Sequence, residues 1–128
     1  MNRILVVDDE PEIINILESF LRKKGFEVVT APGGEEAIET VNTDSKINLI
    51  ILDIKMPGKS GLDVLEELFQ LKIKLPVVIL TGAINGENYD SRLKELGLSK
   101  ADIVLKPIDL NILLDKIKKN LDINTEGK

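Results

Sequence analysis

The acids Asp8, Asp9 and Glu10 directly follow the apolar run Ile4-Leu5-Val6-Val7, and Asp53 directly follows the run from Ile47 to Leu52. Thr81 follows Pro76-Val77-Val78-Ile79-Leu80, and Lys106-Pro107 follows Ile103-Val104-Leu105. A carboxylate can attack phosphorus and form an aspartyl phosphate. Clustered carboxylates repel one another, and burying them unpaired is costly. A hard divalent cation neutralises such a cluster, and an all-oxygen, part-hydrated site favours Mg²⁺. The Lys106 ammonium adds a fixed positive charge, and the Thr81 hydroxyl can hydrogen-bond a phosphoryl oxygen. A phosphoryl group in transfer needs this charge compensation more than covalent help. Asp53, between the acid pair and the Thr–Lys side, is the natural acceptor.

Each piece has a plainer reading. With Pro11 following, one of Asp8, Asp9 or Glu10 can simply cap the first helix. An Asp after a strand is often a turn residue, and Thr81 before Gly82 can be a turn or cap. A Lys before Pro is usually a solvated loop cation. No single signal is strong. Four strand ends with mutually complementary chemistry are.

The elements that must position these residues are legible as short apolar runs alternating with amphipathic stretches. Strands are expected at Ile4–Val7, Phe26–Thr30, Ile47–Leu52, Pro76–Leu80 and Ile103–Leu105. Helical spacing from Glu12 buries Ile13, Ile14, Leu17, Phe20 and Leu21 and stops at Gly25. Glu35–Val41 forms a second, shorter helix. Ser60-Gly61-Leu62-Asp63 is a capping box opening a helix to about Leu71. A fourth helix is expected over Tyr89–Leu96. A fifth is capped by Asp109 and buries Leu110, Leu113, Leu114, Ile117 and Leu121. Strict βα alternation with near-continuous apolar strands predicts a parallel sheet covered by helices on both faces. Ligands in such sheets bind beyond the carboxyl ends of the strands, where the acids, Thr81 and Lys106 lie.

Composition narrows the function further. The length suits one domain, expected over 1–122, with a polar tail at 123–128. The formal net charge of -5 disfavours a nucleic-acid-binding face. No run approaches the roughly 20 apolar residues of a membrane span, and no signal peptide is evident, so cytoplasmic residence is expected. Cys and His are both absent. Thiol chemistry, His-dependent triads and thiolate or imidazole metal sites are therefore excluded.

The sequence resembles the receiver domains of two-component response regulators, the CheY-like family. The matching stretches are Ile4 to Glu10, Leu52-Asp53-Ile54-Lys55-Met56-Pro57-Gly58 with Gly61, Leu80-Thr81-Gly82 and Leu105-Lys106-Pro107. The resemblance runs from Arg3 to about Leu121 and implies a single doubly wound (βα)5 domain. Its strand order would be 2-1-3-4-5, the flavodoxin-like order that this family exemplifies. It implies Asp53 as phosphoacceptor, and Asp8 and Asp9 in a Mg²⁺ site, with Asp9 and Asp53 as direct ligands. The Lys55 backbone carbonyl would be a further ligand, Thr81 the switch hydroxyl, and Lys106 the phosphate-pairing cation. The Lys106-Pro107 bond would be cis. The donor would be a phosphohistidine on a sensor histidine kinase or histidine phosphotransfer protein. The downstream target would be a protein, and the chain a monomer or a phosphorylation-linked dimer. The family catalyses only its own phosphorylation and dephosphorylation.

Three positions depart from the family pattern. Ile103 stands where an aromatic ring usually moves with the switch Thr, and a stiff β-branched side chain cannot rotate that way. Gly97 to Lys106 is a couple of residues longer than usual. Gly82 replaces the common Ala and, with Asn85-Gly86, suggests a mobile loop. Ile84, Ile103 and Ile112 are candidates for exposed apolar area on an output surface, or for scattered surface aliphatics. Lys55 is either a solvated cation or a group that crowds the attacking water and prolongs the phosphate. Two rivals remain. A haloacid-dehalogenase-like phosphohydrolase would need Asp-x-Asp on the first strand, whereas Asp8 and Asp9 are adjacent. A receiver used only for protein interaction is kept open by Ile103.

Overall fold

The computed structural model describes residues 2–82, 87–98 and 100–121. The strands are β1 (Arg3–Val7), β2 (Glu27–Ala31), β3 (Ile47–Asp53), β4 (Val77–Thr81) and β5 (Ile103–Leu105). The helices are α1 (Pro11–Lys23), α2 (Gly34–Thr43), α3 (Gly61–Gln70), α4 (Glu87–Glu95) and α5 (Leu110–Asn120). A 3-10 turn, Lys100–Asp102, precedes β5. All strand pairs are parallel, in the order β2-β1-β3-β4-β5. The expected (βα)5 doubly wound sheet is the observed one. Ile84, Asn85-Gly86 and the 123–128 tail lie outside the described residues.

Side chains alternate across a strand, so each strand feeds two cores. Leu5, Val7, Ile50, Leu52, Val77, Ile79 and Ile103 face one side, packed with residues of α2 and α3 and with Leu93 of α4. Ile4, Val6, Leu49, Ile51, Val78, Leu80 and Val104 face the other, packed with Leu17, Leu21, Leu113 and Ile117 of α1 and α5. Most of these side chains are fully excluded from solvent. Burying a side chain of this size contributes about 1.5–3 kcal/mol, so the two cores together hold the sheet between its helices.

Ile103 corrects an expectation. It is buried, because its position pairs with Ile79 and so shares that residue's inward face. The exposed aliphatics nearby are Leu105 and Ile112. The α5 positions Leu110, Leu114 and Leu121 are half-buried against the core rather than fully inside it. The caps form as the sequence predicts. Ser60 Oγ accepts from Asp63 N at 3.2 Å while Asp63 Oδ2 accepts from Ser60 N at 3.0 Å. Asp109 Oδ1 accepts from the N–H groups of Asn111 and Ile112.

Candidate functional site

Register brings the polar strand ends together. Val7 pairs with Leu52, Asp53 with Leu80, and Thr81 with Leu105. Asp8 therefore follows one step beyond β1 beside Asp53, and Lys106 one step beyond β5 beside Thr81. The ends are tied by backbone bonds from Asp8 N to Ala31 O, Ile54 N to Leu80 O, and Lys106 N to Thr81 O. Gly61 holds the next turn close, donating its N–H to Ile54 O at 2.8 Å. A Cβ there would stand 2.8 Å from Ile54 Cα and against the Asp53 carbonyl oxygen. Only glycine lets α3 start this near the end of β3.

Asp8, Asp53 and Thr81 are the buried polar residues among those described. Carboxylate oxygens of Asp8, Asp9 and Asp53 all lie within 4.8 Å of one another, with Asp9 exposed at the mouth. Lys106 Nζ stands 3.2 Å from Asp8 Oδ2, 3.3 Å from Glu10 Oε1 and 3.6 Å from Asp53 Oδ2. One ammonium thus faces three carboxylates, with Asp9 as a fourth acid beside them. The Lys106-Pro107 bond is cis, as the resemblance implies.

The titration of these groups follows from that imbalance. Burial, together with the neighbouring Asp8 charge, pushes the Asp53 carboxyl up to about 6. Lys106 and the Lys55 backbone N–H oppose that shift without cancelling it. Burial also raises Asp8, against the Glu10 N–H and Lys106. For Lys106, burial disfavours the charge, but Asp8, Asp53 and Glu10 outweigh it and raise the ammonium.

The plainer readings fare unequally. α1 begins after Glu10 without any side-chain cap, so the acid pair does not serve as an N-cap. Asp8 Oδ1 instead accepts from Glu10 N at 2.9 Å, which aims the other oxygen inward. That oxygen, Asp8 Oδ2, is buried and has no hydrogen-bond partner among the described residues. Lys106 is within ion-pair distance of it, at 3.2 Å. Lys106 is mostly buried rather than a solvated loop cation. Lys55 is exposed beside the site, as a surface cation would be. Sequence reasoning treated Glu10 only as a possible cap and missed its pairing with Lys106. The available signal was a Glu at a position where shorter side chains cap better.

Three acids, one of them with a buried oxygen that lacks a hydrogen-bond partner among the described residues, make an all-oxygen donor set suited to a hard divalent cation. The residues present therefore fit Mg²⁺. No helix among the described residues is long and apolar enough to cross a membrane.

Comparison with known proteins agrees with this arrangement. The family model for the response regulator receiver domain matches residues 4–118. The alkaline phosphatase synthesis transcriptional regulatory protein PhoP of Bacillus subtilis is 39% identical over 105 residues, covering 82% of this chain and 42% of its own length. This chain spans about half the length of the curated relatives it matches. A CheY-like receiver domain protein from Methanospirillum hungatei superposes with TM-score 0.85 at 30% identity, over 95% of this chain and 94% of its own. TrrA of Thermotoga maritima, solved in complex with Mg²⁺ and BeF, superposes with TM-score 0.78 at 38% identity, over 93% and 98%. With the family's sheet order and an acidic pocket at its carboxyl edge, this chain belongs to the response regulator receiver domains of two-component signalling.

Proposed function

We propose that Asp53 is the phosphoacceptor and that the chain works as a switch, catalysing only its own phosphorylation and dephosphorylation. The observation that carries this reading is the buried Asp53 carboxylate inside an acidic cluster, 3.6 Å from its cation Lys106. An Asp53 oxygen attacks phosphorus, and the bond from phosphorus to the donor breaks. The donor keeps that electron pair. The proposed donor is a phosphohistidine on a sensor histidine kinase or histidine phosphotransfer protein.

Asp8, Asp9, Asp53 and the Lys55 backbone carbonyl would hold Mg²⁺, which when bound supplies positive charge to the carboxylate and phosphoryl oxygens. The chain's own residues do the rest. Burial at the strand end strips water from Asp53 and aims it outward. Lys106 compensates the charge on a phosphoryl oxygen, and the Thr81 hydroxyl hydrogen-bonds another. A state in which the Thr81 hydroxyl bonds the phosphoryl gains a contact the other state lacks, and that difference shifts the equilibrium. The changed surface lies around α4, β5 and α5, where Leu105 and Ile112 are exposed. Its reader would be a protein target, or a second copy in a phosphorylation-linked dimer, with the monomer the alternative. Neither nucleic acid nor membrane is bound through this domain, and its compartment is the cytoplasm. Exposed Lys55 crowds the water that would hydrolyse the phosphate, so Lys55→Ala shortens its lifetime.

The test is incubation with acetyl phosphate and Mg²⁺ followed by intact mass. One phosphoryl group should add to the wild type and none to Asp53→Asn. Labelling of Asp53→Asn, or none on the wild type, refutes the reading.

A further inference from the structure

Glu10 occupies the N-cap of α1 without using its side chain there. Its Oε1 instead accepts a hydrogen bond from Lys106 Nζ at 3.3 Å, 96 residues away in sequence. Of the three carboxylates around that ammonium, Glu10 is the outermost, with its side chain 57% exposed against 0% for Asp8 and 5% for Asp53. The ammonium is closer to Asp8 and Glu10 than to Asp53. The cation assigned to the phosphoryl group is thus held toward β1 and the mouth. Asp8 is fixed in place by its bond to Glu10 N. Glu10, on the surface, is the partner free to let go.

We propose that Glu10 is a positioning residue that latches Lys106 in the unphosphorylated protein and competes with the incoming phosphoryl group for it. The proposal rests on Asp53 as the acceptor. With acetyl phosphate, an Asp53 oxygen bonds to phosphorus, the phosphorus–acyl oxygen bond breaks, and acetate leaves with the electron pair. The new phosphoryl oxygens then draw Lys106 away from Glu10. Removing the Glu10 charge removes a competitor, so phosphorylation becomes faster although an ion pair has been lost.

The test compares Glu10→Gln with Glu12→Gln, which neutralises an exposed first-turn acid of α1. With acetyl phosphate and Mg²⁺, Glu10→Gln should be labelled about two- to five-fold faster than wild type, the range expected for losing one partly exposed ion pair. Glu12→Gln should match the wild type. In metal-free protein, the Lys106 side-chain ¹⁵N resonance, assigned by its loss in Lys106→Gln, should shift in Glu10→Gln and stay put in Glu12→Gln. An unmoved Lys106 resonance, or equal acceleration by Glu12→Gln, overturns the latch. So does labelling of Glu10→Gln no faster than wild type. Wild-type protein that takes no label sinks the Asp53 reading and the latch with it, whereas a labelled wild type with an unresponsive Lys106 sinks the latch alone.

Discussion

The two ends of the sheet are built from the same strands and treat charge in opposite ways. At the amino ends, Arg3 reaches Glu27 at 3.0 Å and Asp44 at 2.6 Å, and its N–H donates to Asn48 Oδ1. Those groups are part-exposed, and each has its partner. At the carboxyl ends, Asp8 and Asp53 are buried, Asp9 stands beside them, and Glu10 draws on the same Lys106. One end is balanced and serves the fold. The other is left short of positive charge, a deficit that costs stability and that a cation or a proton must fill. Concentrating destabilised charge where function is exercised is what separates a site from a scaffold.

The largest effect should come from removing Lys106, the cation paired with the buried acids of the carboxyl end. Lys106→Met leaves Asp8 and Asp53 buried without their ammonium, and breaking a mostly buried pair in this way costs about 2 kcal/mol or more. Chemical denaturation of metal-free protein at neutral pH should show that loss, and Mg²⁺ should recover part of it. An unchanged midpoint would mean that the deficit is not real.

Backbone packing at the same end comes next. Gly61→Ala forces a methyl group against the Asp53 and Ile54 backbone, with no flexible side chain to yield, so a loss of about 1–3 kcal/mol is expected. Labelling at Asp53 should fall with it, since the acceptor's own backbone is displaced. Gly82→Ala is the contrast. Among the described residues nothing lies within 4 Å of its Cβ position, and the change should stay within about 0.5 kcal/mol. Equal costs at the two glycines would remove the packing argument for Gly61.

Much of this asymmetry was legible in the sequence. The apolar runs give the strands, and the residue after each run gives Asp8, Asp53 and Lys106, because parallel strands deliver their carboxyl ends to one edge. The polar α4 was harder. Leu93 is its only buried side chain among those described, too little to show a period, and the helix spans Glu87–Glu95 rather than Tyr89–Leu96. The burial of Ile103 needed the pairing with Ile79, which a three-residue strand does not announce. The Glu10–Lys106 bond joins residues 96 apart and leaves no local trace. The plainer cap reading of the acids fails because Asp8 spends one oxygen on Glu10 N and turns the other toward the site.

A smaller effect links the site to pH. Asp53 titrates near 6 in the fold against about 3.8 when free, so the folded protein binds this proton more tightly than the unfolded chain. The stability it contributes is fully present below about 3.8 and is lost as pH rises through about 6. Asp53→Asn is neutral throughout. In the absence of metal it should exceed the wild type by about 1–2 kcal/mol at pH 7.5, and the gap should narrow by pH 4.5 and close below about 3.8. Denaturant midpoints of the two proteins across that range give the answer. A gap that is constant with pH would assign the difference to packing, and one that widens on acidification would reverse the sign of the argument.

The smallest effect is expected at the balanced end. Arg3→Met removes a guanidinium from two part-exposed acids, Glu27 and Asp44, which water can solvate once it is gone. Asp44 keeps the Lys46 N–H on its other oxygen, so its carboxyl is not left buried and unpaired as Asp8 would be without Lys106. The loss in melting temperature should be well below that of Lys106→Met and should shrink with added salt, as screening of exposed pairs requires. It should also be indifferent to Mg²⁺, because the ion's donor set lies at the far end of the strands. An Arg3 variant whose loss Mg²⁺ reverses would show the two ends to be coupled through β1 and β3, and the division of labour between them would have to be abandoned.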